Sequence, residues 1–238
     1  MKMIVSHLKK PKDFLRKITN KLKKNGQDHI LGVIPFSDIR SYLPNDPIIA
    51  EAGAHIGIDT MKMAKLWPSG TIHAFEPIPH LFSKLKENTC NFSNIKCYPW
   101  ALSKKTGSSK MFSSSGSSDG SSSLLAPKEH LNQHPDVFFS ETIQVQTITL
   151  DDWAKQCGIK KVDFLWLDLQ GFELPVLKAA SQILRRVQAV YSEVNLIENY
   201  SGCALYSELR SWMEKFGFKV KLEALTWSDG GNVFFCRE

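Results

Sequence analysis

Short apolar runs alternate with helix-like patterns along most of the chain after residue 47. The runs cover residues 48–51, 71–75, 95–98, 162–167 and 187–194. Between them, apolar residues recur at three- and four-residue steps, as in Leu81, Phe82 and Leu85 or Leu174, Leu177, Ala180 and Leu184. Such steps indicate one face of a helix. Strands that alternate with helices are typical of a parallel sheet with helices on both faces, so we expect an α/β fold.

The end of the chain departs from this alternation. A helical stripe over residues 205–216 precedes two strand-like runs, 219–224 and 232–236, which a Ser-Asp-Gly-Gly sequence at 228–231 joins. Two strands joined by such a turn form an antiparallel hairpin. We therefore expect a hairpin that closes an otherwise parallel sheet. A dinucleotide dehydrogenase would usually continue with a second mononucleotide-binding half.

Residues 107–123 break the pattern, because ten of these 17 residues are serine and three are glycine. Only Met111 and Phe112 could bury much apolar surface there. We expect a mobile loop at the side of the sheet where strands end. Its role is either that of a lid or acceptor-binding loop, or that of a tolerated surface insertion.

The length of 238 residues and the hydrophobic content of 42% suit one α/β domain with an appended segment. Residues 1–25 contain nine Lys or Arg and one acid, which gives +8 and leaves −2 of the total +6 for the remainder. We divide the chain into a basic N-terminal helical segment, residues 1–46, and a domain, residues 47–238. In the basic segment Phe14, Ile18 and Leu22 form an apolar stripe.

Two locations are compatible with a helix that carries this apolar stripe. The helix could lie on an anionic membrane, where each Lys or Arg contributes about 1 kcal/mol, or pack on the domain with its lysines in solvent. No apolar run reaches the roughly 18 residues of a membrane span, and the five cysteines form no Cys-x-x-Cys pair. We expect a cytoplasmic protein, with peripheral membrane contact through residues 1–25 as an option.

The residues Glu-Ala-Gly-Ala-His-Ile-Gly at 51–57 join the first strand to a helix. Gly53 and Gly57 permit a sharp turn and close approach of a ligand, and the helix start attracts carboxylate or phosphate. Glu76 ends the second apolar run, where an acid accepts the hydroxyls of a ribose. Glycines at this spacing also serve helix–strand packing, but together with Glu76 they favour a site for an adenosine-containing cofactor.

Asp168 ends a further apolar strand, just before Gly171. Ligands of open α/β sheets bind at the carboxyl ends of the strands, and an acid is costly to bury there unless it is paired. Glu193 lies at the end of the adjacent predicted strand. Both acids are therefore candidate functional residues. No histidine cluster indicates a metal, and we assign none, although Asp168 with Glu193 could hold a divalent ion.

Five pieces of the chain resemble the FkbM family of S-adenosylmethionine-dependent methyltransferases. They are residues 51–57, 74–77, 149–152, 167–173 and 192–194. The resemblance implies a class I methyltransferase (Rossmann-like) fold, with a seven-stranded, mostly parallel sheet, helices on both faces and a C-terminal antiparallel hairpin. It also implies S-adenosylmethionine as cofactor. Two positions depart from the family pattern, since Glu51 replaces the usual Asp and Trp166 stands where a lysine is common.

The resemblance assigns the cofactor to the ends of the first strands. Glu51 would lie near its ammonium group, Gly53, Ala54 and Gly57 would admit its amino-acid part, and Glu76 would bind its ribose. These residue types suit a ligand that carries an ammonium group and two hydroxyls.

The adenine base would lie between Pro77 and Ile78. The family also places contacts to the base at the strand end that holds Ala101, together with Trp100 and Leu102. The sequence leaves open which of these three positions makes the contact.

Methyl transfer to oxygen needs a base that removes a proton from a hydroxyl. Asp168 or Glu193 could be this base, if an apolar setting raises its pKa, and Asn195 could bind the acceptor. The expected acceptor is a hydroxyl of a glycan, glycolipid or natural-product-like small molecule. The alternatives are a nucleic-acid methyltransferase that uses the basic arm, which the slightly acidic body disfavours, and a catalytically inactive interaction domain.

Overall fold

The structure is a computed structural model that describes residues 32–237. Its strands are β1 (Ile48–Ala52), β2 (Thr71–Phe75), β3 (Ile95–Tyr98), β4 (Ala101–Leu102), β5 (Gly107–Gly116), β6 (Val137–Ile148), β7 (Phe164–Leu167), β8 (Ala189–Asn195), β9 (Phe218–Ala224) and β10 (Gly230–Arg237). Seven of them form a sheet in the order β3-β2-β1-β7-β8-β10-β9. β10 runs antiparallel to both β8 and β9, and the other pairings are parallel. The predicted fold class and the C-terminal hairpin are confirmed.

Helices cover both faces of this sheet. They are α1 (Phe36–Ile39), α2 (Ile58–Leu66), α3 (Pro79–Thr89), α4 (His130–Gln133), α5 (Leu150–Gln156), α6 (Glu173–Ala179) and α7 (Tyr206–Lys215). Strand β7 shows how one sheet supports two cores. Phe164 and Trp166 pack into the core on one face, and Leu165 and Leu167 pack into the core on the other. This alternation follows from the period of two along a strand.

The folded unit includes residues 32–46, which the sequence analysis assigned to the N-terminal segment. Ile34, Ile39 and Leu43 are buried in one core of the sheet, and Phe36 stacks on Trp166 at 5.0 Å. The basic apolar stripe predicted further upstream lies outside the described residues. Within residues 32–237, no helix combines the length and the apolar character that crossing a membrane requires.

The expected helix over residues 174–184 is two pieces. Helix α6 ends at Ala179, and a separate 3-10 turn covers Ile183–Arg186. The carboxylate of Asp151 explains the break, because it accepts the N–H groups of Gln182 at 3.0 Å and of Ile183 at 2.8 Å. The 3-10 turn therefore begins where the Asp151 carboxylate binds these two N–H groups.

The expectation of a mobile loop over residues 107–123 is wrong for most of the segment. Strand β5 pairs antiparallel with β6, and β4 completes a three-stranded sheet in the order β4-β6-β5. The chain then turns back, and Phe112 and Ser123 exchange two backbone hydrogen bonds of 2.8 and 3.1 Å. Strand pairing uses backbone groups, so a serine-rich sequence can form it with few apolar side chains.

Two glycines shape the turn after β1, and each has a left-handed backbone. At Gly53, with φ of +83°, an added Cβ would lie 2.1 Å from the carbonyl oxygen of Asp168. At Gly57, with φ of +85°, it would lie 2.7 Å from a methyl group of Leu85. The atoms that require glycine here belong to the protein. The predicted sharp turn is present at both glycines, but the close approach that requires glycine at position 53 is that of the end of β7 and not that of a ligand.

We predict that Gly53→Ala lowers the free energy of unfolding by about 3 kcal/mol or more, because it adds a backbone collision to the cost of a left-handed residue. Gly158→Ala is the matched control. Its φ is +66°, but nothing lies within 4 Å of the added Cβ, so only the conformational cost of about 1–2 kcal/mol applies. Urea denaturation of the two variants measures the difference, and equal losses would contradict the close approach.

Candidate active site

A cavity of about 300 Å³ opens at the carboxyl ends of β1, β2 and β7. Its wall includes seven of the eight predicted cofactor-binding residues, namely Glu51, Gly53, Ala54, Glu76, Pro77, Ile78 and Ala101. The predicted catalytic residue Asp168 lines it as well. Gly57 does not line this cavity and instead forms the N-cap of α2. The fold thus gathers residues from distant parts of the chain around a volume at the low end for ligand sites.

Glu76 joins two turns at the edge of the cavity. Its carboxylate accepts the N–H of His55 at 3.0 Å with one oxygen and the N–H of Ile78 at 2.8 Å with the other. Burial raises the pKa of Glu76 to about 7, although these two hydrogen bonds oppose the shift. Each oxygen keeps a further lone pair that can accept a ligand hydroxyl.

The turn after β1 is shaped by internal hydrogen bonds. The N–H groups of Gly53 and Ala54 donate to the carbonyl of Phe75 at 3.1 and 3.0 Å, and the N–H of Gly57 donates to the carbonyl of Ala54 at 2.8 Å. These amides therefore shape the turn and are not presented to a ligand.

Glu51 is a buried acid with an incomplete set of partners. Its side chain is 1% exposed, and one carboxyl oxygen, Oε2, has no hydrogen-bond partner among the described residues. Burial raises its pKa to about 8. A buried polar atom without a partner is costly, so a residue of this kind on a cavity wall indicates that a ligand supplies the donor.

Aromatic rings form the apolar part of the wall. Trp100 and Trp166 both line the cavity, and Trp166 stacks on Tyr191 with ring centres 3.7 Å apart. Trp166 and Asp168 lie on the same cavity wall, as the regular spacing along β7 predicts. The cavity that Asp168 lines therefore has an apolar ring in its wall.

Gln170 connects the two predicted catalytic acids. Its side-chain Nε2 donates to Asp168 Oδ1 at 2.8 Å and to Glu193 Oε2 at 2.6 Å. The Tyr200 hydroxyl lies 2.7 Å from Gln170 Oε1 and 2.8 Å from the carbonyl oxygen of Ser121, and its single proton can be donated to either acceptor. Gln170 has a φ of +52°, which turns the chain back at the end of β7. The sequence analysis assigned no role to Gln170 or Tyr200.

Each of the two acids affects the ionisation of the other. Burial is the main cause that raises the pKa of both, even though the Asp168 side chain is exposed to the cavity. For Glu193 the charge of Asp168 is the second cause, and it raises the pKa well above the ordinary value. Two acids this close do not ionise together easily. The pair therefore carries one negative charge more readily than two.

A second cavity of about 550 Å³ adjoins the first. Glu193, Gln170 and Asn195 line it, and Gly120 lines both cavities. The bridge from Asp168 to Glu193 therefore spans the boundary between the two. Asn195, which the sequence analysis associated with the acceptor, lies in the second cavity and apart from the predicted cofactor-binding residues.

Three further polar residues of the motifs have structural partners. His55 Nε2 lies 2.8 Å from Asp119 Oδ1, which joins the first turn to the serine-rich segment. His73 Nδ1 lies 2.9 Å from the Tyr98 hydroxyl, and burial lowers the pKa of this histidine to about 4. Glu173 accepts the N–H of Leu169 at 2.8 Å, so it holds the turn before its own helix. Within residues 32–237, no group of three or more His, Cys, Asp or Glu is arranged to hold a metal ion.

Comparisons of the sequence point to methyltransferases. The family model described as "Methyltransferase FkbM domain" matches residues 51–220. The 2-O-methyltransferase NoeI of Sinorhizobium fredii is 30% identical over 162 residues, which cover 66% of this chain and 67% of that protein. Methyltransferase 1 of Beauveria bassiana is 27% identical over 203 residues, which cover 78% and 77%.

Solved structures share the fold. The Methanococcus jannaschii fibrillarin pre-rRNA processing protein has a TM-score of 0.51 at 14% identity, over 87% of this chain and 70% of that chain. The methyltransferase FkbM of Methylobacillus flagellatus has a TM-score of 0.50 at 13% identity, over 80% of this chain and 44% of that chain. At these identities the likeness concerns the fold alone.

The raised pKa of Glu51 predicts a pH-dependent stability. Its pKa of about 8 in the folded protein exceeds the ordinary 4.5, so folding favours the protonated acid. This stabilisation is complete below pH 4.5 and is lost as the pH rises to 8. Glu51→Gln does not titrate there. We predict that the free energy of unfolding of the parent, minus that of Glu51→Gln, falls by about 1 kcal/mol or more between pH 5 and pH 8.5.

Urea denaturation at a series of pH values measures this difference. Other buried acids, such as Glu76 and Glu173, titrate in both proteins and cancel in the subtraction. Parallel stability curves for the parent and Glu51→Gln would contradict the assignment of a raised pKa to Glu51.

Proposed function

Because the chain belongs to the FkbM family of methyltransferases, we propose that it transfers a methyl group from S-adenosylmethionine to a hydroxyl of a glycan, glycolipid or natural-product-like acceptor. The observation that carries this proposal is the bridge from Asp168 through Gln170 to Glu193 at the boundary of two cavities. Oxygen as the accepting atom is supported by the 30% identity to a 2-O-methyltransferase.

The first cavity fits the cofactor. The buried Glu51 oxygen that lacks a partner would accept from the ammonium group, and Glu76 has lone pairs left for the ribose hydroxyls. Pro77, Ile78 and Ala101 supply apolar surface for the base. When it is bound, S-adenosylmethionine supplies an electrophilic methyl group next to a positive sulfur. Burial raises the pKa values of Glu51 and Glu76 in the protein without ligand, and a bound cation would favour their ionised forms.

Asp168 is the base in this proposal. It lines the cofactor cavity, whereas Glu193 lines the second cavity. Burial raises the pKa of Asp168 itself, which makes its carboxylate a better proton acceptor near neutral pH. The N–H groups of Gln170 hold both acids in position, so the acceptor oxygen meets a carboxylate of defined orientation.

A nucleic-acid substrate has weaker support. The basic residues 1–25 could bind phosphates, but none of the described residues that line the second cavity is Lys or Arg. Binding to nucleic acid would depend strongly on salt and would be lost on removal of residues 1–25. The same residues suit peripheral contact with an anionic membrane, which binding to vesicles with and without anionic lipid tests.

Turnover of labelled S-adenosylmethionine with a panel of acceptors tests the function. We expect methyl transfer to at least one neutral saccharide or glycolipid and none to RNA or DNA. Calorimetry with S-adenosylhomocysteine on the same protein is the control for the cofactor site. Absence of binding at millimolar ligand would refute the proposal for the cofactor, and methylation of nucleic acid alone would refute the acceptor class.

We predict that Asp168→Asn lowers turnover by about 100-fold or more, while the affinity for S-adenosylhomocysteine changes less than about tenfold. The change removes the proton acceptor and keeps the shape. Glu193→Gln is the matched variant, because it resembles the protonated form of Glu193, and we expect it to lose less than about tenfold. Steady-state kinetics on the best acceptor of the panel measure the two losses of turnover. A larger loss for Glu193→Gln than for Asp168→Asn would identify Glu193 as the base.

A further inference from the structure

Two stretches of chain that are far apart in sequence form one wall of the second cavity. The N–H groups of Lys128 and His130 donate to the carbonyl of Asn199 at 2.8 and 3.1 Å, and the N–H of Ser201 donates to the carbonyl of Ala126 at 2.8 Å. These bonds hold His130, at the start of α4, beside Asn199. The wall is therefore built by backbone pairing, which defines its geometry before any ligand binds.

Two buried side-chain atoms of this wall have no hydrogen-bond partner among the described residues. They are His130 Nδ1 and Asn199 Oδ1, and their residues are only 5% and 6% exposed. The Nδ2 of Asn199 donates to Asn195 Oδ1 and to Asp229 Oδ2, both at 3.1 Å. The amide orientation is thereby defined, and Oδ1 remains as an acceptor. Both residues line the cavity, and their two unpartnered atoms are themselves almost fully buried.

The charges of the second cavity disfavour an anionic ligand. Glu193 and Asp229 line it, and none of its described lining residues is Lys or Arg. His134 is close to Asp229, with Nε2 and Oδ2 3.1 Å apart, and Lys128 on the adjoining segment pairs with Glu198. A carboxylate, sulfate or phosphate that enters would lose its hydration beside these two acids, while His134 already contacts Asp229 and Lys128 already contacts Glu198.

The rim of the cavity adds an apolar surface. Trp227 lines the cavity and is 38% exposed, so part of its indole ring is open to a ligand. A flat indole ring can pack against the C–H groups of a ring-shaped ligand, while the polar wall takes its hydroxyls.

We propose that the second cavity binds an uncharged, hydroxyl-bearing unit of the acceptor, such as a neutral sugar residue. On binding, a small side-chain shift would open Asn199 Oδ1 and His130 Nδ1 to hydroxyl groups of this unit, which would donate to Oδ1 and form a hydrogen bond with Nδ1. The inference rests on the proposed function in that Glu193 connects this cavity to the catalytic acid. It goes further by selecting neutral acceptors over uronic acids and sugar phosphates and by naming the residues that select them.

Binding of saccharides to the full chain saturated with S-adenosylhomocysteine tests the proposal, with saturation-transfer NMR as the readout. The probes are methyl glycosides of neutral hexoses, the corresponding methyl glycosides of uronic acids, and hexose phosphates. The variant is His130→Phe, which keeps the ring shape and removes Nδ1. The matched control is His80→Phe, because His80 is an exposed residue of α3 away from this cavity.

We expect a neutral glycoside to bind at least about tenfold more tightly than its uronic acid and phosphate counterparts, since a desolvated charge without a partner is costly. His130→Phe should weaken the neutral glycoside about tenfold, the scale of one buried hydrogen bond, with the affinity for S-adenosylhomocysteine unchanged. His80→Phe should change neither. Equal binding of charged and neutral probes, no effect of His130→Phe, or no binding at all would overturn the inference.

Turnover with the same glycosides separates this inference from the proposed function. A neutral glycoside that binds through His130 but accepts no methyl group supports the subsite and contradicts the proposed reaction. Methylation of a uronic acid in preference to the neutral sugar supports the reaction and overturns the subsite.

Discussion

The site depends on the close approach of two strand ends at the centre of the sheet. The carbonyl oxygen of Asp168 lies where any side chain on Gly53 would have to be, and the N–H of Asp168 donates to the carbonyl of Ala52 at 3.1 Å. Because β1 and β7 are neighbours, this contact joins the turn that carries the cofactor residues to the acid that would accept the proton. The next strand, β8, then brings Glu193 within reach of the Gln170 side chain.

Hydrophobic runs predicted the main sheet because its central strands are covered on both faces and are therefore almost continuously apolar. Because these runs are so apolar, an acidic residue at the end of one is easily recognised in the sequence. Glu51, Glu76 and Asp168 all line one cavity, since parallel strands end at the same edge of a sheet. The positions of these residues thus followed from the pattern and a general rule of α/β folds. Their roles in binding and catalysis remain proposals that the pattern and the cavity support.

Other parts of the molecule leave no such pattern. Strand β5 pairs with β6 through backbone hydrogen bonds. Only Met111 and Ser114 along this strand are buried, so its serine-rich sequence shows no hydrophobic pattern of a strand. Gln170 lies in a motif that was recognised, but its bridge depends on a left-handed backbone at that residue. The wall of the second cavity combines His130, Asn199 and Asp229, which are far apart in sequence. Their association depends on hydrogen bonds that periodicity does not encode.

The distribution of tryptophan gives each cavity an optical signal of its own. Trp100 and Trp166 line the first cavity, and Trp227 lines the second, while Trp67 and Trp153 are fully buried in the cores. Indole emission depends on the polarity and the quenching groups beside the ring. A ligand in the first cavity therefore changes the emission of Trp100 and Trp166, and a ligand in the second changes that of Trp227. A parallel sample in which Trp227 is replaced by phenylalanine separates the two signals, so the occupancy of each cavity can be followed without an attached label.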